Sequence, residues 1–299
     1  MTGSSRPEYS LGLDLGGSSV KAVVLTPSGQ RLAFFNESFD PDRRLHFAET
    51  IRVLVDQVTK TQEGSPTHLG LAAPGLVAKD GASIAFMPGR LAGLEGLDWG
   101  EFLGHSRVSV LNDAQAALLG EVAYGAARGA TNVILLTLGT GVGGAAMVDG
   151  HLLRGHQGKA GHFGHVSLNP EGTPDICGAP GSLEDAIGNH NIVARSAGRY
   201  VTTHDLVQAH EAGDPFATAV WMKSVKALSA ALVSLGNVLD PEVVILGGGI
   251  ARCGEALFRP LRALAAAHEW KAGGPGMRLV PAELGELAGA HGAAWNASQ

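Results

Sequence analysis

Apolar and polar positions alternate with a period of two over Ser10–Leu15, where Leu11, Leu13 and Leu15 share one face and Gly12, Asp14 and Gly16 the other. The pattern predicts a strand with one apolar face and one open face that carries a single carboxylate. Runs at Val20–Thr26 and Arg31–Phe35, joined by short turns, extend it to an antiparallel meander. The period then changes. Over Arg43–Lys60, Leu45, Ile51, Leu54, Val55 and Val58 are spaced for one helix face, following Asp40-Pro41-Asp42 as a start signal. Apolar runs at His68–Ala72 and Val108–Leu111 read as buried strands, the second leading directly into a helical stretch, Ala114–Tyr124. Meander, helix, strand and helix predict a mixed α/β layer. The pattern restarts at Asn132–Leu138, continues through Gly144–Val148, and later gives a long apolar helix, Ala217–Asn237. Asp240-Pro241 ends that helix, and the strand Val243–Leu246 runs into Gly247-Gly-Gly-Ile250 before a further helix, so two related halves are expected.

Composition narrows the function classes. A chain of 299 residues, 45% of them apolar, predicts about two domains with buried cores. The formal charge of −6 and the absence of a basic run argue against a nucleic-acid surface, which needs clustered Lys and Arg. The N-terminus shows no charged-then-apolar leader and the chain no uncharged apolar run of about 18 residues, so a cytoplasmic protein without a membrane partner is expected. Only Cys177 and Cys253 are present, which excludes a disulfide framework.

Two Gly-rich turns carry the candidate chemistry: Leu11–Ser19, with Asp14, Gly16, Gly17 and Ser18, and Thr137–Gly144, with Gly139, Thr140 and Gly141. Each follows an apolar strand and leads into another. Either alone reads as a tight hairpin. Together, with Asp14 aimed at the gap, they are expected to act as two jaws on a nucleotide's phosphates, the carboxylate holding Mg²⁺ through water. Lys21 either reaches the phosphate tail or is an ordinary strand lysine.

The ordered motifs Asp14–Lys21, Ala73–Val77, Leu111-Asn-Asp113, Leu138–Gly144, Gly161-His-Phe-Gly-His165, Cys177–Glu184, Gly247-Gly-Gly249 and Ala288–Ala294 cover nearly the whole chain. Their arrangement resembles the ROK group of sugar kinases and sugar-responsive repressors, within the actin-like ATPase (ribonuclease H-like) fold. The resemblance implies a two-lobed α/β protein of mixed sheets flanked by helices, residues 1–113 plus 286–299 forming a smaller lobe and 114–285 a larger one. It further implies ATP and sugar meeting in a cleft, a C-terminal helix packed on the first lobe, and a homodimer. Asp113 becomes the general base that takes the proton of the sugar hydroxyl, with a helix N-cap as its alternative role. Asn112 would hold a neighbouring hydroxyl. Gly75, Gly89, His162, His165 and Glu184 fall at sugar-binding positions, and Gly247, Gly248 and Gly249 against adenosine.

Two sugar positions depart from the family pattern: the residue before Phe163 is usually Glu and here is His162, and an Asn usually follows the Pro of the earlier loop where here Gly89 follows Pro88. Each lost charged hydrogen bond is worth about 1.5–3 kcal/mol, so glucose is not assigned; Arg90, Glu95 and His162 would make a more cationic pocket for another sugar or a sugar acid. The family's structural zinc positions read His165, Asp175, Cys177 and Ser182, which lack two thiolates, so no zinc is expected. Two other readings compete. A catalytically weak sugar-binding regulator shares the fold, although only Met1–Tyr9 precede the first strand, too few for a DNA-binding helix-turn-helix. Gly139–Gly144 also fits the dinucleotide fingerprint, but Ala145–Val148 continues as strand where that fingerprint needs a helix, and no G-x-x-x-x-G-K-[ST] is present.

Overall fold

The computed structural model describes residues 8–299. They form two compact units: the chain through Gly129 with Arg154–Ala160 and Glu283–Gln299 makes unit 1, and Ala130–Leu153 with Gly161–Ala282 makes unit 2.

In unit 1, β1 (Ser10–Leu15), β2 (Ser19–Leu25) and β3 (Arg31–Ser38) form the expected meander, followed by α1 (His46–Thr61) and β4 (His68–Ala73). A small hairpin of β5 (Leu76–Val77) and β6 (Ile84–Phe86), the short α2 (Trp99–Leu103), β7 (Val108–Asn112) and α3 (Asp113–Tyr124) come next. The sheet order is β3-β2-β1-β4-β7, with β1, β4 and β7 parallel. Helix α1 begins three residues later than its acidic start signal predicts. Asp40 Oδ1 accepts the Asp42 N–H at 3.0 Å and the Asp40 N–H is donated to His46 Nδ1 at 2.9 Å, so the acidic pair builds a local turn, not the cap.

Unit 2 contains β8 (Val133–Leu138), β9 (Val142–Val148), β10 (His151–Leu152), α4 (Leu183–Ile187), α5 (Ile192–Arg195), α6 (Thr203–Glu211), α7 (Pro215–Leu239), β11 (Val243–Gly247), α8 (Glu255–His268) and β12 (Arg278–Pro281). Its sheet order, β10-β9-β8-β11-β12, repeats that of unit 1 strand for strand, including the parallel pairs β8/β11 and β11/β12. The two halves are therefore built on one topology. Helix α7 is long and apolar enough to cross a membrane by length and composition alone, yet Trp221, Val225, Leu228 and Leu232 are buried in the core of unit 2.

The last helix, α9 (Ala288–Ala297), returns to unit 1 and packs across β1, β4 and α3. Small residues allow this: a Cβ at Gly12 would collide with the Ala290 carbonyl oxygen, and one at Gly292 with the Ala116 carbonyl oxygen of α3. Glu121, fully buried, fastens the entry. Its carboxylate accepts the backbone N–H groups of Ala126 at 2.8 Å, Glu283 at 3.2 Å and Leu284 at 2.8 Å. This packing puts α3 in unit 1, where the sequence reading sets the lobe boundary ahead of it, at residue 113.

Candidate active site

In unit 1, Asp14 lies opposite Ala72 and Ala73 opposite Asn112, so the carboxyl ends of β1, β4 and β7 share one edge of the sheet. Ligands of open α/β sheets bind at that edge. It gathers Asp14, the Gly16-Gly17-Ser18 turn, Gly75, Asn112 and Asp113. The turn is closed by the Gly16 N–H donating to Ser19 O at 2.9 Å and by Phe39 N–H donating to Ser18 O at 2.9 Å, leaving Gly17 and Ser18 exposed.

The junction of β7 and α3 answers which residue caps the helix. Asn112, buried, is the N-cap: its Oδ1 accepts the N–H groups of Ala114 at 3.0 Å and Gln115 at 3.3 Å, while its Nδ2 donates to Gly75 O at 3.1 Å. Capping thus falls to Asn112, and Asp113 stands as the first helical residue with an exposed side chain, its Oδ1 2.8 Å from the Ala114 N–H. A carboxylate there gains from the helix dipole.

Asp14 is the electrostatically unusual group of this edge. Its carboxylate lies against the start of α9, where a Cβ at Gly289 would approach Oδ2 to 2.6 Å. Burial pushes the carboxyl up to about 7, the Asp113 charge pushes the same way, and Lys21 opposes both. Asp14 and Asp113 therefore lie within electrostatic reach of one another at this edge. Carboxylate oxygens like those of Asp14 suit a hard, oxygen-ligated ion such as Mg²⁺. Lys21 pairs with Glu286 of the C-terminal segment at 3.0 Å, a partner 265 residues away that no local pattern could reveal. Gly89, with φ +78°, lines an open cavity of about 740 Å³ in unit 1 together with Gly17, Asp42, Arg90 and Glu95.

In unit 2, Gly247 lies opposite Thr137, so the Gly139–Gly141 turn and the Gly247–Gly249 turn leave the same edge of their sheet. Gly248 has φ +84° and backs onto the Leu138 carbonyl so closely that no Cβ fits. Glu184, on α4, is tied to the same region: its Oε2 accepts the Val142 N–H at 2.7 Å, and a Cβ at Gly141 would collide with it. Of two residues the sequence reading did not single out, His190 holds this turn and Arg195 braces the adjoining Asp185–Gly188 segment. His190 Nδ1 lies 2.9 Å from Thr140 O and its Nε2 2.9 Å from Asp185 Oδ1. Arg195 donates to the carbonyls of Asp185 at 3.2 Å and Gly188 at 2.7 Å. Both contacts cross loops without periodic signal, which is why pattern alone misses them.

His162, half-buried, opens the 3₁₀ turn Phe163–His165. His165 Nδ1 lies 2.8 Å from Asp175 Oδ2, and its Nε2 lies 3.4 Å from Cys177 Sγ. Burial works to raise Asp175, but hydrogen bonds from His165, Ala179, Cys177 and Ser182 outweigh it and hold the carboxyl at about 2. His165, Asp175 and Cys177 therefore bring three ligand atoms within 4.8 Å of one another. A closed zinc site needs a fourth strong ligand. The position that the resemblance gives to a fourth ligand is Ser182, whose hydroxyl caps α4 by accepting the Asp185 N–H at 3.2 Å and offers neither thiolate nor imidazole.

Residues 10–299 match the model of the ROK family. The chain belongs to the ROK family. A glucokinase of Halalkalibacterium halodurans is 31% identical over 320 aligned positions, covering 97% of this chain and 94% of that one. Among solved structures, a ROK hexokinase from Thermus thermophilus superposes with a TM-score of 0.86 at 29% identity, covering 97% of this chain and 98% of that one. A ROK family glucokinase from Streptomyces griseus, in complex with glucose and AMPPNP, gives 0.74 at 29% identity over 97% and 99% of the two chains. The ROK fold of this chain is thus that of the actin-like ATPases, with mixed sheets flanked by helices.

Proposed function

We propose that this ROK protein is a sugar kinase that moves the terminal phosphoryl group of ATP to a sugar hydroxyl, with Asp113 as general base. One observation carries the reading: Asn112 takes the capping role, so Asp113 is left at the sheet edge close enough to Asp14 to raise that carboxyl. The kinase names of the relatives, and the nucleotide in one of the solved structures, support the donor and acceptor classes.

Phosphoryl transfer depends mostly on positioning and charge neutralisation. Asp113 accepts the hydroxyl proton as the sugar oxygen forms its bond to phosphorus and the bond to the ADP oxygen breaks. Such a base contributes about 10²–10⁴-fold in rate. Asp14 would hold Mg²⁺ through water, and bound Mg²⁺ neutralises charge on the phosphoryl oxygens. For donor binding we assign Gly16, Gly17 and Ser18 in unit 1, and Gly139, Thr140, Gly141 and Gly247–Gly249 in unit 2. Lys21, held by Glu286, acts on this edge through its charge on Asp14. For the sugar we assign Asn112, Gly75 and Gly89, with His162, His165 and Glu184.

His162 and Gly89 argue for a sugar other than glucose, and they also motivate the second reading, a weakly catalytic sugar-binding regulator. An ADP-release assay over neutral, amino and acidic sugars separates the two. A sugar kinase gives sugar-dependent ADP release with at least one class; ADP release unchanged by every sugar favours the regulator.

A further inference from the structure

Arg90, which lines the 740 Å³ cavity of unit 1, has no part in the phosphoryl transfer described above. Arg90 is exposed, and among the described residues its guanidinium has no hydrogen-bond or ion-pair partner. It leans on the first Gly turn: Nη2 lies 2.7 Å from where a Cβ of Gly17 would be. The guanidinium thus occupies the space beside Gly17 that a side chain at that position would share.

The loop that carries Arg90 is anchored on both sides. Glu95 Oε1 accepts the Met87 N–H, Gly96 N–H donates to Ile84 O at 2.9 Å, and Leu45 N–H donates to Ala92 O at 3.3 Å. Leu91, next in sequence, is only 5% exposed and sits at φ +50°. A non-glycine residue keeps that conformation only where packing fixes it, so the backbone beside Arg90 is set by the buried Leu91. That fixed backbone carries an always-charged, planar donor beside a turn of exposed backbone. Guanidinium groups pair strongly with phosphoryl oxygens through parallel hydrogen bonds.

We propose that Arg90 is a catalytic residue that binds the terminal phosphoryl group of the nucleotide donor. The proposal rests on the kinase reading and deepens it. An anionic group on the sugar would satisfy the same guanidinium, but the position of Arg90 over Gly17 favours the donor. In the transfer itself Arg90 makes no bond and moves no proton; it holds charge that spreads over the phosphoryl oxygens as the bond to ADP breaks.

The test compares wild-type protein, Arg90→Ala and Arg90→Lys by calorimetric titration with Mg²⁺ plus either ADP or an imido analogue of ATP, without sugar. Wild type is expected to prefer the triphosphate. Arg90→Ala is expected to lose about 10–100-fold in affinity for the analogue, while ADP affinity stays within about twofold. Arg90→Lys keeps part of the preference, since a point charge replaces the fork. Steady-state assays on the same variants should show a fall in kcat with the sugar KM unchanged. Equal loss of both nucleotides, no loss of either, or an effect confined to the KM of acidic sugars overturns the proposal. A wild-type chain that binds neither nucleotide overturns the kinase reading itself, whereas one that binds both and is indifferent to Arg90 overturns this inference alone.

Discussion

Replacing Asp14 with Asn is expected to make the protein more stable at pH 8 while removing its turnover. The carboxyl is lifted from 3.8 to about 7, first by burial and then by the charge of Asp113. Between those values the folded chain holds a proton that the unfolded chain releases. The contribution of Asp14 to stability is therefore complete below about pH 4 and is lost as pH rises through about 7. Each pKa unit corresponds to about 1.36 kcal/mol, so the loss is bounded at roughly 4 kcal/mol, and relaxation around the charged pair brings the expected value nearer 2 kcal/mol. Asn has nearly the same shape and cannot ionise. Urea unfolding of wild type and Asp14→Asn in the presence of EDTA, from pH 4 to pH 8.5, reads the difference directly. The two proteins should agree near pH 4 and diverge upward, with the variant about 2–4 kcal/mol more stable at pH 8. A variant that is less stable at pH 8, or a difference that does not change with pH, refutes the reasoning that Asp14 is a buried carboxylate strained by its partner.

Other outcomes follow from the same geometry. Asn112→Ala removes the cap of α3 and unpairs the Gly75 carbonyl, and thermal or denaturant unfolding should show about 2 kcal/mol of destabilisation. Since the Ser182 hydroxyl leaves the His165, Asp175 and Cys177 cluster one ligand short, metal analysis should find well under one zinc per chain, and EDTA should leave Tm unchanged. Gly292→Ala drives a methyl into the Ala116 carbonyl and should cost about 1–3 kcal/mol in unfolding experiments.

The strands were legible where alternation or a buried apolar run was strong: Ser10–Leu15 matches β1 residue for residue, and β4, β7, β8 and β11 differ from expectation by one residue at an end. Helix α7 was equally plain because its apolar run is long. Helix α9 left no such trace. Its sequence, Ala-Gly-Ala-His-Gly-Ala-Ala-Trp-Asn-Ala, has small residues on every side because strands and α3 approach it from several directions, and only the resemblance pointed to it. Strand β12 is four residues long and was missed for want of a pattern. At the site, Asp14, Asn112 and Asp113 could be picked out as residue types at strand ends. Which of Asn112 and Asp113 caps the helix depends on hydrogen bonds that both residue types can make. The contacts Lys21–Glu286, Glu184–Val142 and Arg90 over Gly17 join segments 265, 42 and about seventy residues apart, beyond the reach of any local periodicity.

Phosphoryl transfer turns on the Asp113 carboxylate, and following the phosphorus tests that role most directly. Phosphorus-31 NMR of wild type and Asp113→Asn with MgATP and the best sugar of the panel should show a sugar phosphate accumulating with wild type. The variant should form it about 10²–10⁴-fold more slowly while binding nucleotide as well as before. Formation of the sugar phosphate at the wild-type rate by Asp113→Asn would contradict the account.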